Sequence, residues 1–164
     1  PDHLRAHPKG QVFDMLTTIH SRGELVWEET STFLRRGRGS EDAPGGSTFP
    51  EAPAHGITWR LPGDLGRRYA AVSGDRNPIH LYPLMAKAFG FPRQIAHGMW
   101  SMARCVGAIE NRLPDEVTVA VAFKKPILLP GTVAFGVRPV DDALAFSLSS
   151  PKGVPHLAGA ATPA

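Results

Sequence analysis

The chain has 164 residues, a length for one ordinary domain or one domain with part of another, and 42% of them are hydrophobic, enough for a sizeable core. A net charge of +3 without a long block of like charge excludes a nucleic-acid arm, while leaving room for phosphate-bearing small molecules or an acidic carrier protein. The single cysteine, Cys105, excludes a disulfide framework and a multi-cysteine zinc ribbon, and no apolar run reaches the roughly 18 residues of a membrane helix.

With 17 Gly and 16 Pro the chain stays below the level of a low-complexity sequence. It reads as a soluble, cytoplasmic protein with no membrane or nucleic-acid partner. It starts at Pro1 without Met and enters strand-like sequence at once, so it is expected to be part of a longer chain.

Two β-leaning runs come first, Val12 to Ile19 and Leu25 to Leu34. They flank "SRG", whose small residues suit a hairpin loop, although the second run alternates only in part. Residues 37–54 are dense in Gly, Pro, Ser and Asp and read as a linker. A new unit opens near His55. "GITWRL" (56–61) predicts a short strand, "LPGDLGRRYAAVSG" (61–74) a short helix, and "PLMAKAFGF" (83–91) another helix ending at Gly90.

"HGMWSMARCVGAIENRLP" (97–114) carries the strongest helical pattern. Met99, Met102, Ala103, Val106 and Ile109 follow i, i+3, i+4, i+7 spacing and extend to Leu113, and apolar residues on the other faces predict a helix wrapped by its neighbours. Strands are predicted at Val117–Phe123, Thr132–Val137 and Leu144–Ser149, with a weaker one around His156–Ala161. Helices followed by successive strands argue for an α+β fold in which an antiparallel sheet curls around one long central helix.

The chemistry concentrates in "SGDRNPIH" (73–80). Asp, Asn, Gly and Pro are turn residues, so Asp75 and Asn77 have a structural role open to them. His80 adds a second reading. It follows a proline that fixes the local path, and an Asp and a His converging on one water are what adding or removing water requires. In "IAHGMW" (95–100), Gly98 starts the long helix, where a free N–H and the positive end of the helix dipole suit a developing oxyanion. Close packing for Gly98 and capping for His97 are the structural alternatives.

"SGDRNPIH" followed by "IAHGM" resembles the MaoC-like dehydratases, also called hydratase 2 or R-specific enoyl-CoA hydratases, which have the hotdog fold. The resemblance covers about residues 56–164. It implies that Asp75 and His80 hold and activate a water, that Asn77 orients them, and that the Gly98 N–H polarises a thioester carbonyl. The implied reaction is reversible hydration of a trans-2-enoyl thioester to the (3R)-3-hydroxyacyl thioester. The thioester's coenzyme A or acyl-carrier protein is then substrate, and no further cofactor is implied. His97 and Met99, beside Gly98, are assigned to substrate binding.

Lys124 and Lys125, in a stretch that also resembles the family, are assigned to coenzyme A phosphates or an acidic carrier, with a solvated strand end as the alternative. Arg67, Arg68 and Arg93 face the same two readings. Residues 1–36 resemble the closing hairpin of a partial preceding hotdog repeat, 37–54 the linker, and 55–164 the catalytic domain. The edge and open face of a single hotdog unit predict a homodimer or higher oligomer.

No metal is expected, because the carboxylate and imidazole are committed to water. Cys105 reads as packing, and His3, His7, His20, His55 and His156 lack ligand spacing. A hotdog thioesterase and a non-catalytic acyl-binding subunit remain as alternatives. The first counts an acidic residue near the start of the central helix among its usual features, and "GMWSMAR" has none.

Overall fold

The computed structural model describes residues 4–164, so His3 lies outside the described residues. The chain divides into two compact units between Ser47 and Thr48.

The first unit is a three-stranded antiparallel sheet in the order β1-β2-β3, from β1 (Arg5–His7), β2 (Gly10–Ser21) and β3 (Glu24–Arg36). The expected hairpin is present and turns at Arg22 and Gly23, both with positive φ (53° and 89°), as a two-residue turn matched to strand twist requires. The broken alternation of the second run has a physical cause. Ile19 pairs with Trp27 but His20 with Leu25, so Val26 is a bulge.

Strand β1 has no counterpart in the sequence reading. Three residues carry no periodicity, and the strand is fixed by Arg5, whose guanidinium donates to both oxygens of Asp14 at 2.6 and 2.8 Å. Those bonds, with another from Thr32, hold the exposed Asp14 carboxyl down at about 2. Phe13 stacks on Phe33 at 5.5 Å, on the face that also carries Met15, Ile19 and Trp27.

The second unit holds a five-stranded antiparallel sheet in the order β4-β6-β7-β8-β5. Its strands are β4 (Ile57–Leu61), β5 (Val117–Phe123), β6 (Gly131–Val140), β7 (Ala143–Ser149) and β8 (Pro155–Pro163). Strand alternation puts Trp59, Leu61, Val133, Phe135, Phe146, Leu148, Leu157 and Ala161 on one face, where they form the core with Leu65, Ile109 and Leu129. On the other face, residues 51–54 run over β6 and β7. The hydroxyls of Ser147 and Ser149 donate to the carbonyls of Pro53 and Ala54 at 2.7 and 2.8 Å.

The helices are α1 (Leu65–Ser73), α2 (Pro78–Leu81), α3 (Pro83–Ala88) and α4 (Gly98–Val106). Helix α4 is shorter than its sequence predicts. After Val106 the bonding tightens to i→i+3, with Ala108 N donating to Cys105 O and Ile109 N to Val106 O, and a 3₁₀ turn at Glu110–Arg112 follows. Gly107, a poor helix former, stands at the change.

The buried face of α4 also differs from the predicted one. Ser101 and Cys105 are buried, whereas Met99 is 42% exposed and Ala103 is exposed, so α4 is covered on one side and not wrapped; Ile109, beyond the end of the helix, is buried as predicted. Arg104 folds back over Trp59, with its guanidinium carbon 4.4 Å from the ring centroid. No helix among the described residues is long and apolar enough to cross a membrane.

The corrected helix face has a measurable consequence. Ile109→Ala is expected to cost about 2–5 kcal/mol in urea unfolding, and Met99→Ala no more than about 0.5 kcal/mol. Equal losses would restore the face read from the sequence.

Candidate active site

The loop after α1 presents the acid. Helix α1 closes on Gly74 in the left-handed conformation (φ 76°), whose N–H donates to Ala70 O at 3.1 Å. The chain then turns on its own side chains. Asn77 N–H donates to Asp75 Oδ1 at 3.0 Å, and Asn77 Oδ1 accepts from Ile79 N at 3.4 Å, capping α2 with Pro78 in its first position. Asn77 thus touches both partners of the motif, restraining Asp75 through its amide and starting the helix that carries His80.

His80 is buried on α2. Gly66 lets α1 lie directly against it, since a Cβ at that position would fall 1.9 Å from His80 O. The His80 ring is oriented by Nδ1, which donates to Ile95 O at 2.8 Å. A carbonyl only accepts, so the proton of the neutral ring is on Nδ1 and Nε2 keeps its lone pair. One ligand-type atom from each of Asp75, His80 and His97 lies within 4.8 Å of the others.

A cavity of about 220 Å³ opens beside His80. His80, Gly98 and Ser101 line it, with Ile95, Ala96, Phe91, Phe123 and Ile127 as apolar wall and Lys124, Lys125 and His156 as its basic part. Gly98, the first residue of α4, meets the Phe123 ring so closely that a Cβ would lie 3.3 Å from it. A second hollow of about 320 Å³, bordered by residues 51–54 and Arg138, contains none of the motif residues.

Of the residues singled out in the sequence, the structure therefore brings His80, Gly98, Lys124 and Lys125 to one cavity, with Asp75 beside His80. Asp75, Asn77, His97 and Met99 are not among the residues that line it. Met99 lies on the exposed side of α4. His97 takes the N-cap position of α4 by its backbone, but its side chain makes no capping bond, and the ring turns inward to only 2% exposure. Burial lowers its pKa, the hydrogen bond to Asp75 O opposes that shift, and the neighbouring His80 adds to it. Arg67 is engaged with the carbonyl of Leu81 at 3.1 Å.

Sequence reasoning missed Ser101 and His156. Ser101 donates its hydroxyl to His97 O at 3.2 Å, which lets a polar residue occupy the buried helix face. His156 Nδ1 donates to Lys125 O at 2.8 Å, so its neutral ring keeps the lone pair on Nε2. Neither contact has a signal in local spacing.

With this geometry the chain compares with known proteins as follows. Residues 50–150 match the model of the MaoC-like domain, and the chain belongs to that family. It is 40% identical over 160 residues to 3-hydroxyacyl-thioester dehydratase X of Mycobacterium tuberculosis, spanning 95% of this chain and 57% of that relative. The crystal structure of HtdX from the same organism superposes with a TM-score of 0.81 at 39% identity, covering 99% of this chain and 66% of that one. An (R)-specific enoyl-CoA hydratase of Aeromonas caviae is 34% identical over 74 residues, 43% of this chain and 55% of that protein. The second unit accordingly has the hotdog fold of these proteins.

Cys105 has no solvent exposure, and burial pushes its thiol up to about 12. The thiol therefore stays protonated at pH 8, far below that value. A disulfide reagent should leave the folded protein unmodified and react fully once urea unfolds it. Rapid labelling of the native state would contradict this.

Proposed function

We propose that the chain catalyses the reversible hydration of trans-2-enoyl thioesters to (3R)-3-hydroxyacyl thioesters. The observation that carries this reading is the convergence of the Asp75 carboxylate and the His80 imidazole, with its Nε2 lone pair free, beside a cavity that also holds the start of α4. The names of two relatives, a 3-hydroxyacyl-thioester dehydratase and an enoyl-CoA hydratase, describe the two directions of such a reaction.

In hydration, the Gly98 N–H at the helix N-terminus stabilises negative charge on the thioester oxygen, which makes the β-carbon electrophilic. Asp75 and His80 hold one water. As its oxygen bonds to the β-carbon, the pair withdraws a proton and delivers one to the α-carbon. H and OH are added with no change of redox state, and dehydration runs the same transfers in reverse. A thioesterase would attack the carbonyl instead, and the first turn of α4 offers no acid for that.

Lys124, Lys125 and His156 give the cavity a basic part suited to the phosphates of coenzyme A or the phosphopantetheine of a carrier protein. The first unit fits the closing strands of a preceding hotdog repeat. It lies inside the match to HtdX, yet the family model begins only at residue 50. Its exposed Met15, Ile19, Trp27 and Phe33 suit a sheet built to be covered. Residues 37–54 then serve as connector, and the domain from residue 55 carries the chemistry.

A homo-oligomer fits the unpaired outer edge of β5 and the exposed Phe123 and Phe89. Light scattering after size exclusion should give at least a dimer. A monodisperse monomer would refute that assignment.

Crotonyl-CoA should lose its enoyl absorbance with the wild-type protein. Asp75→Asn and His80→Ala should each lower kcat by about 10²–10⁴-fold. Replacing Lys124 and Lys125 by Ala should raise KM for the coenzyme A thioester more than for the N-acetylcysteamine thioester, which lacks the phosphates. A folded wild type without turnover would overturn the hydratase reading.

A further inference from the structure

His97 is a buried titratable side chain that the reaction as described does not use, yet it contacts both members of the acid–base pair. Its Nε2 lies 3.1 Å from the backbone carbonyl of Asp75 and 3.7 Å from Asp75 Oδ2. Its ring stacks on His80 with centroids 3.8 Å apart and planes 26° from parallel. Tyr69 of α1 packs against it from another side, with ring centroids 4.9 Å apart.

The bond to the Asp75 carbonyl places a proton on Nε2, because the carbonyl can only accept. Nδ1 is buried with no protein partner among the described residues, so adding a proton there would create an N–H without a protein acceptor. It would also put a cation against the face of His80. The groups that face this ring are Asp75 from the loop, His80 from α2 and Tyr69 from α1, and none supplies an acceptor to Nδ1.

We propose that His97 is a positioning residue, which sets the separation of Asp75 from His80 by donating to the backbone of the first and stacking on the ring of the second. The proposal rests on the hydratase reading for its effect on rate. It replaces the substrate-binding role that the sequence suggested. A contact to substrate would require the ring to reach the cavity, and the ring is almost wholly buried.

Two variants separate positioning from mere filling of space. His97→Leu keeps most of the volume and removes the donor. His97→Gln keeps an N–H at similar reach. With crotonyl-CoA, His97→Leu should lose about 10–100-fold in kcat, with KM within about threefold of wild type, in line with the cost of a small misplacement of reacting groups. His97→Gln should recover most of that loss. A folded His97→Leu protein with wild-type kcat, or a His97→Gln protein as slow as His97→Leu, would overturn the proposal.

Imidazole ¹⁵N NMR on the wild-type protein gives a readout that needs no turnover. His97 should appear as the neutral Nε2–H tautomer at pH 8 and stay mostly neutral at the ordinary histidine value of about 6.5, because burial lowers its pKa. An Nδ1–H tautomer, or ordinary titration, would remove the hydrogen bond on which the proposal stands. If wild type shows no turnover, the hydratase reading fails, and the NMR result still decides the placement of His97.

Discussion

The hydrogen bond from His80 Nδ1 to the carbonyl of Ile95 decides what the rest of the site can do. It orients the ring and leaves Nε2 as the only basic nitrogen. The position of that carbonyl is itself over-determined. Ile95 N donates to Ile79 O, Ala96 N to Ile127 O, and Leu129 N to Gln94 O, so residues 94–96 are laced between α2 and the segment leading into β6. A shift of residues 127–129 would therefore move the acceptor that orients the His80 ring.

This lacing also explains why short helices suffice. Helix α2 has only four residues and would not persist alone. It is started by the Asn77 cap and the fixed φ of Pro78, and it is held by the bond between Ile79 O and Ile95 N. The same residues that make the loop a turn are thus the ones that place Asp75 and His80. Structural and chemical readings of this motif describe a single arrangement.

Most of the strands and the motif were legible because their signals are local. Strand β5 has the predicted bounds, since Val119 and Val121 alternate with small residues, and the "GDRNPIH" stretch combines turn chemistry with two titratable groups. What the sequence hid depends on contacts distant along the chain. Ser101 reads as polar until its hydroxyl is paired with the carbonyl four residues back, and that is why the buried stripe of α4 was placed on Met99 and Ala103. Strand β1 is only three residues long and is defined by its pairing with β2 and an ion pair across nine residues. His156 reaches the cavity only because β8 pairs with β5, which brings it beside Lys125.

The charge state of the site follows from the same constraints. Two imidazoles lie face to face 3.8 Å apart, an arrangement that accommodates one positive charge far better than two. The proposed mechanism has His80 take up and release a proton, which a neutral neighbour favours. Burial lowers the pKa of His97 and its Nδ1 has no protein partner among the described residues, so both favour the neutral ring against the opposing pull of Asp75. A charged His97, 3.7 Å from Asp75 Oδ2, would attract that carboxylate as an ion-pair partner. In the proposed mechanism, a neutral His97 leaves the Asp75 carboxylate and the His80 lone pair as the two groups that exchange protons with substrate.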